Sequence, residues 1–417
     1  MLDSALFLSL LFLFNGFFYA RLIGSYINPV SILSFYWLLT LFLPLLIYPD
    51  GRIQLETHSF VFLCLATFSL PFYVISLFKP KRTIWIEPVY FRRRVRFFLG
   101  IYFLIGIVFF WLHLSLNNVS VMSWVSSPKE ITAMLVNKKY ASELIYSFYS
   151  KVIVLMMYPV AFLGGLMATL RGRSILANLV CCFTIPILFF IIFGDKGALF
   201  LVSFLYYMGW LVASSNRGEV ALIRGRQIVY LLPVFICLFL LILFAFISRG
   251  VSIADLYSYF VSYSSGHIFA FNDWFSYFLG GQHLYARYDE LSLPFGYYTF
   301  QGIYNLVGYP SMTVMGIYGE YFTDGFLTTN IYTIFRGLLY DFGFAGTLVF
   351  FFIFGWLMSV GYLLLCKYGW SVLGITSWYL FSLFVYSSYI ISTFVWVTTI
   401  VSVGLIFVLL FAFLRKV

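Results

Sequence analysis

Charge is what this 417-residue chain has least of. Asp, Glu, Lys and Arg make up 10% of it, against 63% hydrophobic residues; a soluble domain carries about 25% charged residues. So few charges cannot coat a globule of this size, which excludes a water-soluble fold and leaves lipid as the solvent of its apolar surface. Histidine is scarce too, with four in the chain, and no pair of them has metal-ligand spacing. The five cysteines (Cys64, Cys181, Cys182, Cys237, Cys366) fall within apolar runs or at the end of one, so no disulfide framework and no metal-type spacing is expected. A phosphate-cradling Walker loop, a dinucleotide-binding glycine fingerprint and a Gly-x-Ser-x-Gly elbow are all missing. The apolar runs contain almost no interior charges, whereas ion-coupled transporters usually need some near the membrane midplane.

What is present is a series of apolar runs of about 20 residues, the length that crosses a bilayer as a helix. Backbone groups in hydrocarbon must pair within their own segment, so the runs are expected to be helical, and the alternation of a membrane barrel is absent. Eleven spans are expected near 4–20, 30–48, 58–78, 97–115, 150–170, 175–193, 197–214, 228–247, 344–365, 371–389 and 393–413. The last two come from one charge-free stretch, 371–414, with a turn expected at Ser387, Ser388 and Tyr389. With an odd number of spans the basic clusters share one side, 16 Lys/Arg inside against 9 outside. That bias puts the N-terminus outside and the C-terminus inside. Arg21 after the first span, with no basic residue before it, is the reverse of a cleavable signal peptide. The net charge of +10 then reflects loops against anionic headgroups, not a nucleic-acid partner.

The chain reads as a single membrane domain, residues 1–417, with two long outer loops, 116–149 and 248–343. A structureless loop as long as the second is uncommon, so short amphipathic helices are expected in it, at Ile253–Tyr263, at Ile268–Leu279 and near Met315–Phe322. The span 249–340 is 22% of the chain but holds 14 of its 33 tyrosines. Tyrosine has an apolar body and a polar tip, which suits a membrane-interface belt or a sugar-binding surface.

Few charges lie near the outer face, so each can be weighed. Lys196, in Gly194-Asp195-Lys196-Gly197-Ala198, sits between two spans with almost no room for a loop. Arg249 stands at the outer end of the eighth span. An ammonium and a guanidinium there could bind a diphosphate at the membrane surface. Glu320 and Asp324 are four apart and on a helix would share a face, raising one pKa so that it could take a proton from a sugar hydroxyl. Arg336 and Asp341 are five apart and could pair with each other. His267 and His283, in the long loop, could act as bases near neutral pH. Asp273 is a weaker acid candidate, and His58 and His113 read as span-end residues.

The stretch Asn330-Ile331-Tyr332-Thr333-Ile334-Phe335-Arg336-Gly337-Leu338-Leu339-Tyr340-Asp341-Phe342-Gly343 resembles the signature of bacterial oligosaccharide repeat-unit polymerases, the O-antigen (Wzy-type) polymerases. Gly194-Asp195-Lys196-Gly197-Ala198-Leu199 resembles their short basic motif between two mid-chain spans. The resemblance implies an all-α membrane protein of GT-C type. It implies an inverting, metal-independent glycosyltransferase acting outside the inner membrane on undecaprenyl-diphosphate-linked repeat units, without nucleotide sugar or other cofactor. A chain-length regulator is the partner it would imply. On this reading Lys196, Arg249 and Arg336 would bind the diphosphate, and Glu320, Asp324 and His267 would orient or deprotonate the acceptor. Asp273, Asn330, Tyr332 and Asp341 would line the glycan groove or support it. The related ligase that moves finished glycan onto lipid A core, a lipid-linked oligosaccharide flippase, and a non-catalytic subunit of an envelope complex are the alternatives.

Overall fold

The computed structural model describes residues 2–77, 88–140, 143–168, 173–222, 252, 255–280, 293–309 and 318–415. The described residues are almost entirely helical: α1 (Leu2–Ile23), α2 (Pro29–Ile47), α3 (Leu55–Leu77), α4 (Val89–Leu116), α5 (Val121–Ser126), α6 (Pro128–Tyr140), α7 (Phe148–Met167), α8 (Arg173–Phe193), α9 (Lys196–Asn216), α10 (Leu256–Phe278), α11 (Tyr297–Leu306), α12 (Ile334–Tyr368), α13 (Val372–Ser387) and α14 (Val397–Leu414). A two-residue hairpin, β1 (Phe322–Thr323) and β2 (Thr328–Thr329), pairs antiparallel. Among the described residues, eight helices are long and apolar enough to cross a bilayer: α2, α3, α4, α7, α8, α9, α12 and α14; α1 and α13 carry shorter apolar stretches. The protein is therefore a multi-pass, all-helical membrane protein. The expected span near 228–247 lies outside the described residues, as do Arg249 and His283.

Sequence explains where the helices begin. Asn28 caps α2 by accepting from Ser31 N at 2.9 Å, and Pro29 occupies the first turn, where no N–H is needed. Ser147 caps α7 through Ser150 N at 3.2 Å, and Ser371 caps α13 through Gly374 N at 3.3 Å. The α13 helix ends at Ser387, where the serine pair of the charge-free stretch predicts a turn.

The chain divides into two compact units. The first contains residues 1–83 and 257–400. In it α12 packs along α3, and the backbones come close because Gly355 has no side chain: a Cβ there would strike the carbonyl of Phe68. Small residues at such contacts are how membrane helices pack when hydrophobicity cannot drive them together. The α12 helix has 35 residues, about 52 Å of rise, well beyond the ~30 Å of a hydrocarbon core. It is broken at Gly343, whose φ of 64° and ψ of −170° suit glycine alone. Residues 344–368 are thus the spanning part, and 334–342 form a separate segment before the bend.

The second unit contains residues 84–256 and 401–417. Its centre is the α7–α9 pair, where a Cβ on Gly165 would meet the carbonyl of Tyr206 and one on Gly209 the carbonyl of Phe162. Asn178 on α8 donates to the Gly164 carbonyl at 2.7 Å. Arg94 on α4 donates to the carbonyls of Ala412 and Arg415 at 2.8 Å each, tying off the end of α14. The loop expected at 116–149 contains α5 and α6.

Two expectations for 248–343 are corrected. Over the described residues the amphipathic pieces expected at 253–263 and 268–279 are joined in one continuous helix, α10 (Leu256–Phe278), that runs through Gly266. This glycine does not break the helix because it is a contact: Thr329 lies 3.0 Å from where a Cβ would sit. The helix expected near 315–322 is also absent over its described part, where the chain from Tyr318 is non-helical, bends at Gly319 and enters β1. Thr323, Thr328 and Thr329 favour strand, and Gly325, at φ 89°, makes the turn between them.

Candidate functional site

Among the described residues, a cluster of buried charge and aromatic rings lies in the first unit, around Arg336. The segment 334–342 is fixed at its start by Ile334 N, which donates to the Ser388 carbonyl at 2.9 Å. Phe335 is wedged among Trp37, Phe60, Phe271 and Phe351, with ring centroids 5.0–5.8 Å away. The next residue, Arg336, points into a cage and is 3% exposed. Its guanidinium carbon lies 4.0 Å from the ring centre of Tyr318, 4.2 Å from that of Tyr332 and 5.5 Å from that of Trp274 on α10. Its Nη2 donates to Glu320 Oε2 at 3.0 Å. An isolated buried charge would cost several kcal/mol; a carboxylate partner and ring faces offset that cost.

The cage is supported from behind. Tyr318 stacks on Tyr298 at 5.7 Å, and Tyr298 meets Tyr340 edge-on at 4.8 Å. Gly337 permits this, since a Cβ there would come 3.2 Å from the Tyr318 hydroxyl and 3.4 Å from Tyr298 Cβ. Burial pushes the Tyr298 hydroxyl up to about 12, against the lowering pull of Arg336. Burial likewise holds Tyr318 well above the usual tyrosine value, so both hydroxyls stay neutral.

Asp341 does not pair with Arg336, which corrects that expectation. Its carboxylate accepts from Tyr298 N at 3.2 Å and Thr299 N at 2.6 Å, capping the first turn of α11. Arg336 finds Glu320 instead because the non-helical chain after Tyr318 brings that carboxylate to the cage. Asp341 precedes the Gly343 bend, outside the spanning part of α12. Burial pushes its carboxyl up to about 6, although the two N–H bonds pull the other way.

The other acceptor candidates are separated. Glu320 and Asp324 do not share a helical face, because the chain there is not helical and Asp324 lies in the hairpin turn. Glu320 is the partner of Arg336. Asp324 is exposed and closes the hairpin, its Oδ1 accepting from Phe326 N and Leu327 N at 2.9 Å each. His267 on α10 is 4% exposed and packs edge-on against Tyr389 at 5.2 Å. Burial pushes its imidazole down to about 3, so the ring is neutral at neutral pH and a poor proton acceptor, contrary to the expectation of a base. Tyr332 is fully buried, one ring face taken by Arg336, and does not line an open groove. Asn330 is half-buried between β2 and α12, and Asp273 is half-buried on α10.

Lys196 belongs to the second unit. Gly194, at φ 63°, and Asp195 form the whole connection between α8 and α9, and Lys196 opens α9 as a half-buried residue. His58 and His113 are both buried. Among the described residues no group of three or more His, Cys, Asp or Glu could hold a metal ion. Sequence reasoning missed Tyr318 and Trp274 as partners of Arg336 and Tyr298 as the ring behind Tyr318. The tyrosine density of 249–340 was the one signal for the two tyrosines.

No family model, curated protein or solved structure matches the chain. Fold and site define a class: a multi-pass helical membrane protein that buries an arginine–glutamate pair in an aromatic cage.

Proposed function

We propose that this chain is a membrane-embedded glycosyltransferase that polymerises undecaprenyl-diphosphate-linked oligosaccharide repeat units. It would sit in the bacterial inner membrane with about eleven spans, its N-terminus periplasmic and its C-terminus cytoplasmic. One observation carries the reading. The stretch Asn330–Gly343, which resembles the polymerase signature, also carries the Arg336 cage, the Asp341 cap and the Gly343 bend.

In such a reaction an acceptor hydroxyl attacks the anomeric carbon of the growing glycan. The bond to the diphosphate breaks, and negative charge grows on the leaving oxygen. Fixed cations at that oxygen lower the barrier. Arg336 is held by Glu320 and three rings, so the diphosphate falls to Lys196 and Arg249, and Arg336 becomes the residue that holds the signature segment in shape. Asp324, exposed and held by two N–H groups, is the carboxylate that could orient the acceptor hydroxyl and receive its proton. No metal and no nucleotide sugar enters this scheme.

The test is complementation of a polymerase-null strain supplied with the matching repeat-unit locus, with surface glycan resolved on a gel. Wild type should restore a ladder, and Lys196→Ala should collapse it to single repeats at equal protein level. Single repeats from wild type would overturn polymerisation. Repeat units that never reach the surface would point to a flippase or a ligase.

A further inference from the structure

Beside the cage, the first unit carries a second group of aromatic residues that the scheme above does not use. Phe326, at the hairpin turn, stacks on Tyr48 with ring centres 5.0 Å apart and planes 11° apart. Tyr257, the second residue of α10, meets Phe326 at 5.5 Å. Tyr48 is braced edge-on by Phe269 at 5.6 Å. The rings remain open to the surface: Tyr257 is 51% exposed and Phe326 37%. Tyr257 is nevertheless held, since its hydroxyl donates to the Ile47 carbonyl, and burial, with the Asp324 carboxylate close by, raises the pKa of Tyr48. Asp324 is fixed in turn by the N–H groups of Phe326 and Leu327. Asp50, also exposed, lies close enough to act on Tyr48 electrostatically. The hairpin is docked on α10 through Thr328 N, which donates to Ser262 Oγ at 3.2 Å.

We propose that Tyr48, Tyr257, Phe326 and Asp324 form a subsite for a pyranose ring of the glycan substrate. The proposal rests on the glycosyltransferase reading and deepens it. A sugar ring has an apolar C–H face and a rim of hydroxyls. Ring faces match the first and a fixed carboxylate accepts from the second. Tyr257 and the carboxylate are held by hydrogen bonds and Tyr48 and Phe326 by ring packing, so little ordering cost remains on binding. A lipid surface is the other candidate for open aromatic rings. Two exposed carboxylates against one nearby arginine, Arg52, suit anionic headgroups poorly.

The experiment uses the full chain in nanodiscs of neutral lipid. The probe is the repeat-unit oligosaccharide released from its carrier by mild acid and followed by saturation-transfer NMR. Wild type should bind it. Tyr257→Leu and Phe326→Leu, which keep apolar bulk but lose the ring, should each weaken binding by about fivefold, the size of one aromatic contact. Tyr257→Phe, which keeps the ring but loses the bond to the Ile47 carbonyl, should weaken binding by less than Tyr257→Leu does. The same variants are run in the ladder assay. If wild type makes a ladder while the leucine variants bind like wild type, the subsite is wrong and polymerisation stands. If wild type makes no ladder, the polymerase reading fails, and the binding series judges the subsite by itself. A second readout treats Phe326→Cys with a charged, membrane-impermeant maleimide. Labelling in nanodiscs supports a water-facing subsite. Labelling seen only after solubilisation in detergent would place the ring in lipid and overturn it.

Discussion

Removing the carboxylate at Glu320 tests the cage most sharply. The substitution Glu320→Gln keeps size and one acceptor oxygen but leaves Arg336 charged and 3% exposed. Breaking a buried pair from one side costs about 3–5 kcal/mol. Here Glu320 keeps 13% of its side-chain surface exposed, and water reaching it lessens the penalty. The Tyr318 and Tyr332 faces remain, and a desolvated cation–π contact offsets roughly 0.5–2 kcal/mol. The expected loss is about 2–3 kcal/mol. It is read from denaturant titration in mixed micelles by tryptophan fluorescence, with Asp50→Asn as an exposed control expected within about 0.5 kcal/mol. Adding Arg336→Met removes the orphaned charge. The double variant should therefore recover much of the loss, giving a coupling of at least about 1 kcal/mol between the two sites. Equal effects for Glu320→Gln and Asp50→Asn, or strict additivity in the double variant, would refute the cage as a coupled unit.

The remaining expectations are narrower. Asp341 has a raised pKa in the folded protein, so its protonated form is favoured on folding; that contribution is complete below its ordinary value of 3.8 and lost as pH rises through about 6. Stability of wild type relative to Asp341→Asn should therefore fall between pH 4 and 6, which thermal unfolding at stepped pH would show. His267 has a lowered pKa, so its contribution is present above 6.5 and lost as pH falls through about 3. Its ring should show no titration by NMR between about pH 5 and 8, and a midpoint near 6.5 would contradict its burial. Gly343→Ala places a side chain at φ 64° and should cost about 1–3 kcal/mol; an unchanged unfolding midpoint would mean the bend is not fixed. Gly209→Leu would drive a side chain into the Phe162 carbonyl and should abolish the α7–α9 contact, read as loss of monodisperse protein on size exclusion.

The membrane fold was legible because composition and run length are physical constraints in themselves. Scarce charge demanded lipid, and runs of span length demanded helices. Ten of the expected spans fall on described helices, differing at their ends by up to ten residues, as when α12 extends back to Ile334 and α4 to Val89. The site was less legible. Arg336 stood out because a charge in an apolar sequence is conspicuous, but its partner could not be read from spacing. Asp341, five residues along the same segment, faces α11, whereas Glu320 reaches Arg336 from the non-helical chain ahead of β1. A four-residue spacing means a shared face only on a helix, and the threonines with Gly325 choose a hairpin instead. His267 looked like a loop base because the packing of α10 against Tyr389 is a tertiary fact with no local signature.

The central claim is that this chain joins lipid-linked repeat units. The direct measurement is reconstitution of the purified protein in liposomes with undecaprenyl-diphosphate-linked repeat units as sole substrate, followed by separation of the products by size. The account predicts a ladder of oligomers formed without added metal or nucleotide sugar, with free lipid diphosphate released in proportion. Unchanged single repeats under these conditions, from folded wild-type protein, would contradict it.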